Sequence, residues 1–139
     1  MQKHSLTRLR LLRGAGILLM ALGIVHLLAT PHIATLVRHS ASPTSAGWLT
    51  PPMLLNHILV GVLLIPLGYL TAYAAPHAVS GASWARVVVR TTALSVATLP
   101  IALFALMGRR YYFDAPLFLV GAALTVIVAV TLLIVAFAR

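Results

Sequence analysis

The chain has no cysteine and no glutamate, and Asp114 is its only acidic side chain. The lack of cysteine excludes disulfides, thiolate metal sites and cysteine nucleophiles. A single carboxylate excludes paired-carboxylate chemistry within one chain. Proton antiport coupled through an embedded carboxylate is disfavoured for the same reason, although a histidine relay stays open. Charged residues make up only 8% of the sequence, against about 25% in a soluble domain. No G-x-S-x-G elbow, Walker loop or dinucleotide glycine loop is present. The histidines have no H-x-x-x-H spacing of the kind that holds zinc, and no residue is assigned as catalytic or as a metal ligand.

Hydrophobic residues, by contrast, make up 61% of the 139. They fall into four runs, each near the roughly 20 residues that an α-helix needs to cross a bilayer core about 30 Å thick. The expected fold is all-α, a polytopic integral membrane four-helix bundle in a single domain, 1–139. The expected spans are 14–37, 52–74, 87–107 and 116–138. A basic start before an apolar run also describes a secretory signal peptide, but this run is longer than a signal core and contains His26 and His32.

Between the spans, Arg38 to Thr50 reads as a polar connection with Trp48 as an interfacial anchor. Ala75 to Ser83 reads as a second link, followed by Trp84 and Arg86 at the interface. Gly108 to Phe113 reads as a tight basic-aromatic turn, with Asp114 capping the last helix ahead of Pro116. Pro66 and Pro100 are expected to kink their helices. No internal repeat is evident.

The net charge of +9 is spread between the spans, not gathered into one stripe, which points to anionic lipid headgroups as the partner and away from nucleic acid. With both termini cytoplasmic, the inner side holds Lys3, Arg8, Arg10, Arg13, Arg86, Arg90 and Arg139. The outer side then holds only Arg38, Arg109 and Arg110, as the positive-inside rule prefers.

Helical spacing sorts the small and polar residues into faces. Gly16, Leu19, Gly23, His26 and Thr30 share one face of the first span. His57, Gly61, Leu64 and Gly68 share one face of the second. Thr91, Ser95, Thr98 and Ala102 form an expected packing seam on the third span, and Gly121, Thr125 and Ala136 one on the fourth.

The candidate cofactor-binding residues are His26, His32 and His57, because an ionisable group inside a membrane marks a functional site by default. Haem b held by two of these imidazoles is one reading, and a hydrogen-bonded quinone is another. Counted from Val37 and Pro52 as outer ends, His57 and His32 lie about 8 Å deep and His26 about 16 Å deep. The His26–His57 pair is thereby mismatched in depth, while His32 points away from the face of His26 unless Pro31 turns it. The bland alternative is a neutral histidine bonded to a carbonyl or to Asn56, Thr30 or Thr35 of a neighbouring helix. His4, His39 and His77 read as surface residues.

The segment Leu22-Gly23-Ile24-Val25-His26-Leu27-Leu28-Ala29-Thr30-Pro31, with Gly61-Val62-Leu63-Leu64-Ile65-Pro66, resembles the small four-helix DoxX-like membrane proteins, in which G-x-x-H precedes a proline in the first span and G-x-L-L-x-P occupies the second. The resemblance covers about a sixth of the chain, and the acidic residue of the family's second span is missing. It implies a four-span bundle in the bacterial inner membrane and a role beside redox or respiratory proteins, without a catalytic residue. The function expected is that of a non-catalytic accessory or interaction subunit, self-associating or bound to other membrane subunits. A haem- or quinone-binding redox protein is the alternative, and a small-solute permease a second one.

Overall fold

The computed structural model describes residues 2–40, 42–106 and 116–138 of the chain, and almost all of them are helical. The helices are α1 (Gln2–Ser40), α2 (Pro43–Val79), α3 (Ser83–Leu106) and α4 (Pro116–Phe137). Each is long and apolar enough to cross a membrane. They pack as a closed ring in which α1 lies on α2, α2 on α3, α3 on α4 and α4 back on α1, and the α1–α2 contact is the most extensive. The turn of basic and aromatic residues from Gly108 to Phe113 and the Asp114 cap lie outside the described residues.

The connection expected between Arg38 and Thr50 is mostly helix. Ser42 caps α2, its hydroxyl accepting from the Ser45 N–H at 3.3 Å, and Pro43 begins the helix where a missing N–H does no harm. The helix then runs through Pro51, Pro52, Pro66 and Pro76. Both helices extend past the expected spans 14–37 and 52–74, because polar residues beyond the apolar stretch end a span without ending a helix. The second link is equally short. It is a turn from Ser80 to Ala82 in which Gly81 takes φ +100°, and the Arg86 guanidinium donates to the Gly81 carbonyl at 2.6 Å. A side chain at that φ would be strained.

The register of the α1–α2 hairpin is set by glycine. A Cβ on Gly16 would lie 2.6 Å from the Gly68 carbonyl oxygen, and one on Gly23 would lie 2.7 Å from that of Gly61. Paired positions therefore sum to 84 in both contacts, which centres the hairpin on Ser42. Without Cβ atoms the two backbones touch. The central core of Leu12, Leu19, Val89, Val96, Val128 and Leu132 is built on this hairpin, together with the buried Thr71 and Thr92.

The face expected to be buried on α3 is wrong. Thr91, Ser95, Thr98 and Ala102 are all exposed, and the helix buries Ala85, Val89, Thr92, Ala93 and Val96 instead. Small polar residues need no partner helix when their hydroxyls bond their own backbone. Thr98 Oγ1 donates to the Ser95 carbonyl at 2.7 Å in this way. On α4, Ala136 is buried whereas Gly121 and Thr125 are half-buried.

Two arginines close the end of the bundle at which α1 begins and α4 ends. Arg8 Nε donates to the Val135 carbonyl at 3.1 Å, and Arg90 Nε to the Ala136 carbonyl at 3.4 Å with its guanidinium 5.2 Å from the Phe137 ring centroid. The last carbonyls of a helix have no intrahelical partner and carry the negative end of its dipole. Cations from α1 and α3 thus tie both helices to the end of α4.

The helices differ in reach. From Ser83 to Leu106, α3 climbs about 36 Å, which carries it level with Asn56 on α2. Beyond that level, among the described residues, residues 27–40 of α1 and 43–56 of α2 continue as a two-helix arm about 20 Å long. Between residues 24 and 63, the only described side chains or glycines that are buried are Ala46 and Gly61.

Gly68→Ala places a methyl against the Gly16 carbonyl and is expected to destabilise the protein by about 1–3 kcal/mol. Gly121→Ala meets nothing within 4 Å and is expected to stabilise it by up to about 1 kcal/mol. Unfolding followed by circular dichroism in mild detergent measures both. Equal effects would mean that the hairpin register is wrong.

Candidate functional site

His26 and His57 meet where the four-helix section gives way to the arm. Their rings stack with centroids 4.4 Å apart and planes inclined by 27°. His26 follows Gly23 by three positions and His57 precedes Gly61 by four, so both lie on the next turn outward from the Gly23–Gly61 contact. That backbone contact leaves the two helices so close that flat rings fit between them face to face. The mismatch in depth expected from the sequence does not occur. It came from taking Val37 and Pro52 as equivalent ends, whose numbers sum to 89, whereas the glycine contacts sum to 84. Five residues of slip correspond to about 7.5 Å, the size of the error.

His32 does not join the pair. It is exposed on α1, and Pro31 lies within the continuous helix without turning it inward. Among the described residues no three His, Asp or Glu side chains gather as a metal-binding group. The hydroxyls that were candidate partners for the histidines bond their own helix instead. Thr30 Oγ1 donates to the His26 carbonyl at 3.1 Å and Thr35 Oγ1 to the His32 carbonyl at 2.7 Å. Asn56 is exposed. His39 Nδ1 contacts the Thr35 carbonyl at 2.7 Å.

One atom of the pair stands out chemically. Nε2 of His57 is buried and has no hydrogen-bond partner. Leaving such an atom unpaired costs about 1–3 kcal/mol. Two axial imidazoles of a haem aim their nitrogens at an iron between them, but stacked rings turn their faces to each other. The pair as packed does not have the geometry of bis-imidazole ligation. What it offers is a single ring nitrogen for a hydrogen bond.

No protein-family model, curated protein or solved structure matches the chain. The reading of the site therefore rests on geometry and residue chemistry.

A second aromatic cluster, not among the candidates read from the sequence, lies at the opposite end. Tyr69 stacks on Tyr73 at 6.1 Å between centroids, and Tyr73, His77 and Trp84 lie within 6.4 Å of one another. The i, i+4 spacing of Tyr69, Tyr73 and His77 was the available signal. All four residues are exposed. Their amphipathic character suits a membrane–water boundary.

His57→Phe keeps an aromatic ring on His26 and removes the unpaired nitrogen. It is expected to leave stability unchanged or to raise it by about 1 kcal/mol, read as a melting midpoint in detergent. A loss above about 2 kcal/mol would mean that Nε2 is satisfied in the folded protein.

Proposed function

We propose that this chain is a small four-span protein of the bacterial inner membrane, with both termini cytoplasmic. In this reading it has no catalytic chemistry of its own and serves as an accessory or interaction subunit, bound to other membrane subunits or to itself. Insertion in a bilayer is supported by the lateral surface. Ile17, Leu70, Ile101 and Ile134 are 59%, 44%, 68% and 66% exposed, a spread of apolar surface that water does not tolerate. Trp48 and Trp84, both exposed, are about 45 Å apart along the helix axes, the thickness of a bilayer with its headgroups. The orientation is supported by the seven basic residues on the side of the termini against three on the other.

The observation that carries the interaction role is the α1–α2 arm. Leu28, Met53 and Leu55 are 76%, 47% and 58% exposed on a pair of helices that has left α3 and α4 behind. A two-helix arm of this kind presents both flanks to another membrane helix. The resemblance to the DoxX-like proteins agrees with such a role. A second reading, a redox protein that holds a quinone by a hydrogen bond at His57, draws its support from the unpaired Nε2.

The absence of cysteine makes the interaction role directly measurable. Single cysteines replacing Leu28 and Met53 are expected to give cross-linked adducts in native membranes, and one replacing Ile134 is expected to give none. Monomer alone from both arm positions would sink the interaction role. A reporter fused after Arg139 is expected to lie in the cytoplasm. For the quinone reading, extraction of the purified protein should yield quinone that is lost in His57→Phe; quinone-free wild-type protein would end it.

A further inference from the structure

A groove of about 170 Å³ runs between α1 and α4, lined by Arg10, Gly14, Ala15 and Leu18 on one side and Val128 and Thr131 on the other. Apart from Arg10 at one end and the Thr131 hydroxyl, its walls are aliphatic. We infer that this groove is a binding site for an anionic phospholipid of the leaflet on the side of the termini, with an acyl chain along Gly14 and Leu18 and the phosphate on Arg10. The inference rests on the membrane reading above and adds to it a defined site.

The first argument is which cations are free. Arg8 and Arg90 are taken up by the carbonyls that end α4, and Arg86 by the Gly81 carbonyl. Arg10 and Arg13 are exposed and have no hydrogen bond or ion pair among the described residues. The chain has one carboxylate to set against ten basic residues, so an anion from outside is the natural partner of Arg10. A guanidinium is suited to it, since its fork donates two parallel bonds to a phosphate.

Direction is the second argument. The lining runs from Arg10 through Gly14 to Leu18, from the basic end of α1 toward the middle of the bundle, as an acyl chain runs from its headgroup. Gly14 opens the channel, because a Cβ there would meet nothing within 4 Å. Another groove of about 180 Å³ lies between α2 and α3, lined by Val60, Leu63, Leu67, Ser95 and Leu99. It has no charged residue in its lining and so nothing with which to select a headgroup.

The test is native mass spectrometry of the full chain in mild detergent with equimolar phosphatidylglycerol and phosphatidylcholine of the same acyl chains. Wild type is expected to retain phosphatidylglycerol preferentially. Arg10→Gln should weaken that preference about fivefold, the effect of one surface cation. Gly14→Leu should weaken it as much by filling the channel with the charge intact. Equal retention of both lipids by wild type would overturn the site, and so would an unchanged preference in either variant, since headgroups would then respond to diffuse surface charge alone. A chain that stays monodisperse in buffer without detergent is a different result, which would remove the membrane reading itself.

Discussion

The contact of glycine with backbone carbonyl between α1 and α2 is the constraint on which the other features depend. Gly16 against Gly68 and Gly23 against Gly61 bring two helices of 39 and 37 residues to backbone contact and fix which residue faces which. In the membrane reading proposed above there is no hydrophobic drive to pull helices together, so close approach and the dispersion it allows do so. Once the register is fixed, the positions of the histidine pair, the outer arm and the packing surface for α3 and α4 follow from it.

Charge has a structural use at the other end. A bundle with one acidic residue cannot be held by internal ion pairs, and the carbonyls at the end of α4 supply the acceptors instead. These are charge-assisted bonds to groups that would otherwise be unpaired near an apolar environment, where an unmade bond is expensive. The same assignment separates arginines that hold the fold, Arg8 and Arg90, from Arg10 and Arg13, which stay exposed. Arg8 and Arg10 are two positions apart on α1 and point in different directions, and so they fall into different classes.

The helical class and the four apolar segments were legible because length and composition alone set them. The faces of α1 and α2 were legible too, since glycines and a histidine recur on one side of each helix. Helix ends were not: the stretch from Arg38 to Thr50 is rich in turn residues, yet Pro43 to Thr50 is already helix behind the Ser42 cap. The face of α3 was misread because Thr and Ser satisfy their own hydroxyls against the preceding turn, which makes a polar stripe an ambiguous sign of contact. The depth comparison of the histidines failed with the helix ends on which it depended.

The sequence by itself determined an all-α chain with four segments apolar enough to cross a membrane, a basic excess without acidic partners, and a set of chemistries that its missing residues exclude. Only the tertiary structure decided that His26 stacks on His57 while His32 stays outside, that Arg8 and Arg90 serve the end of α4, and that α1 and α2 outreach their neighbours. The physical reason is register. Periodicity says which residues share a face of one helix, but the axial offset between two helices is set by where their backbones can touch, and that is a property of the pair.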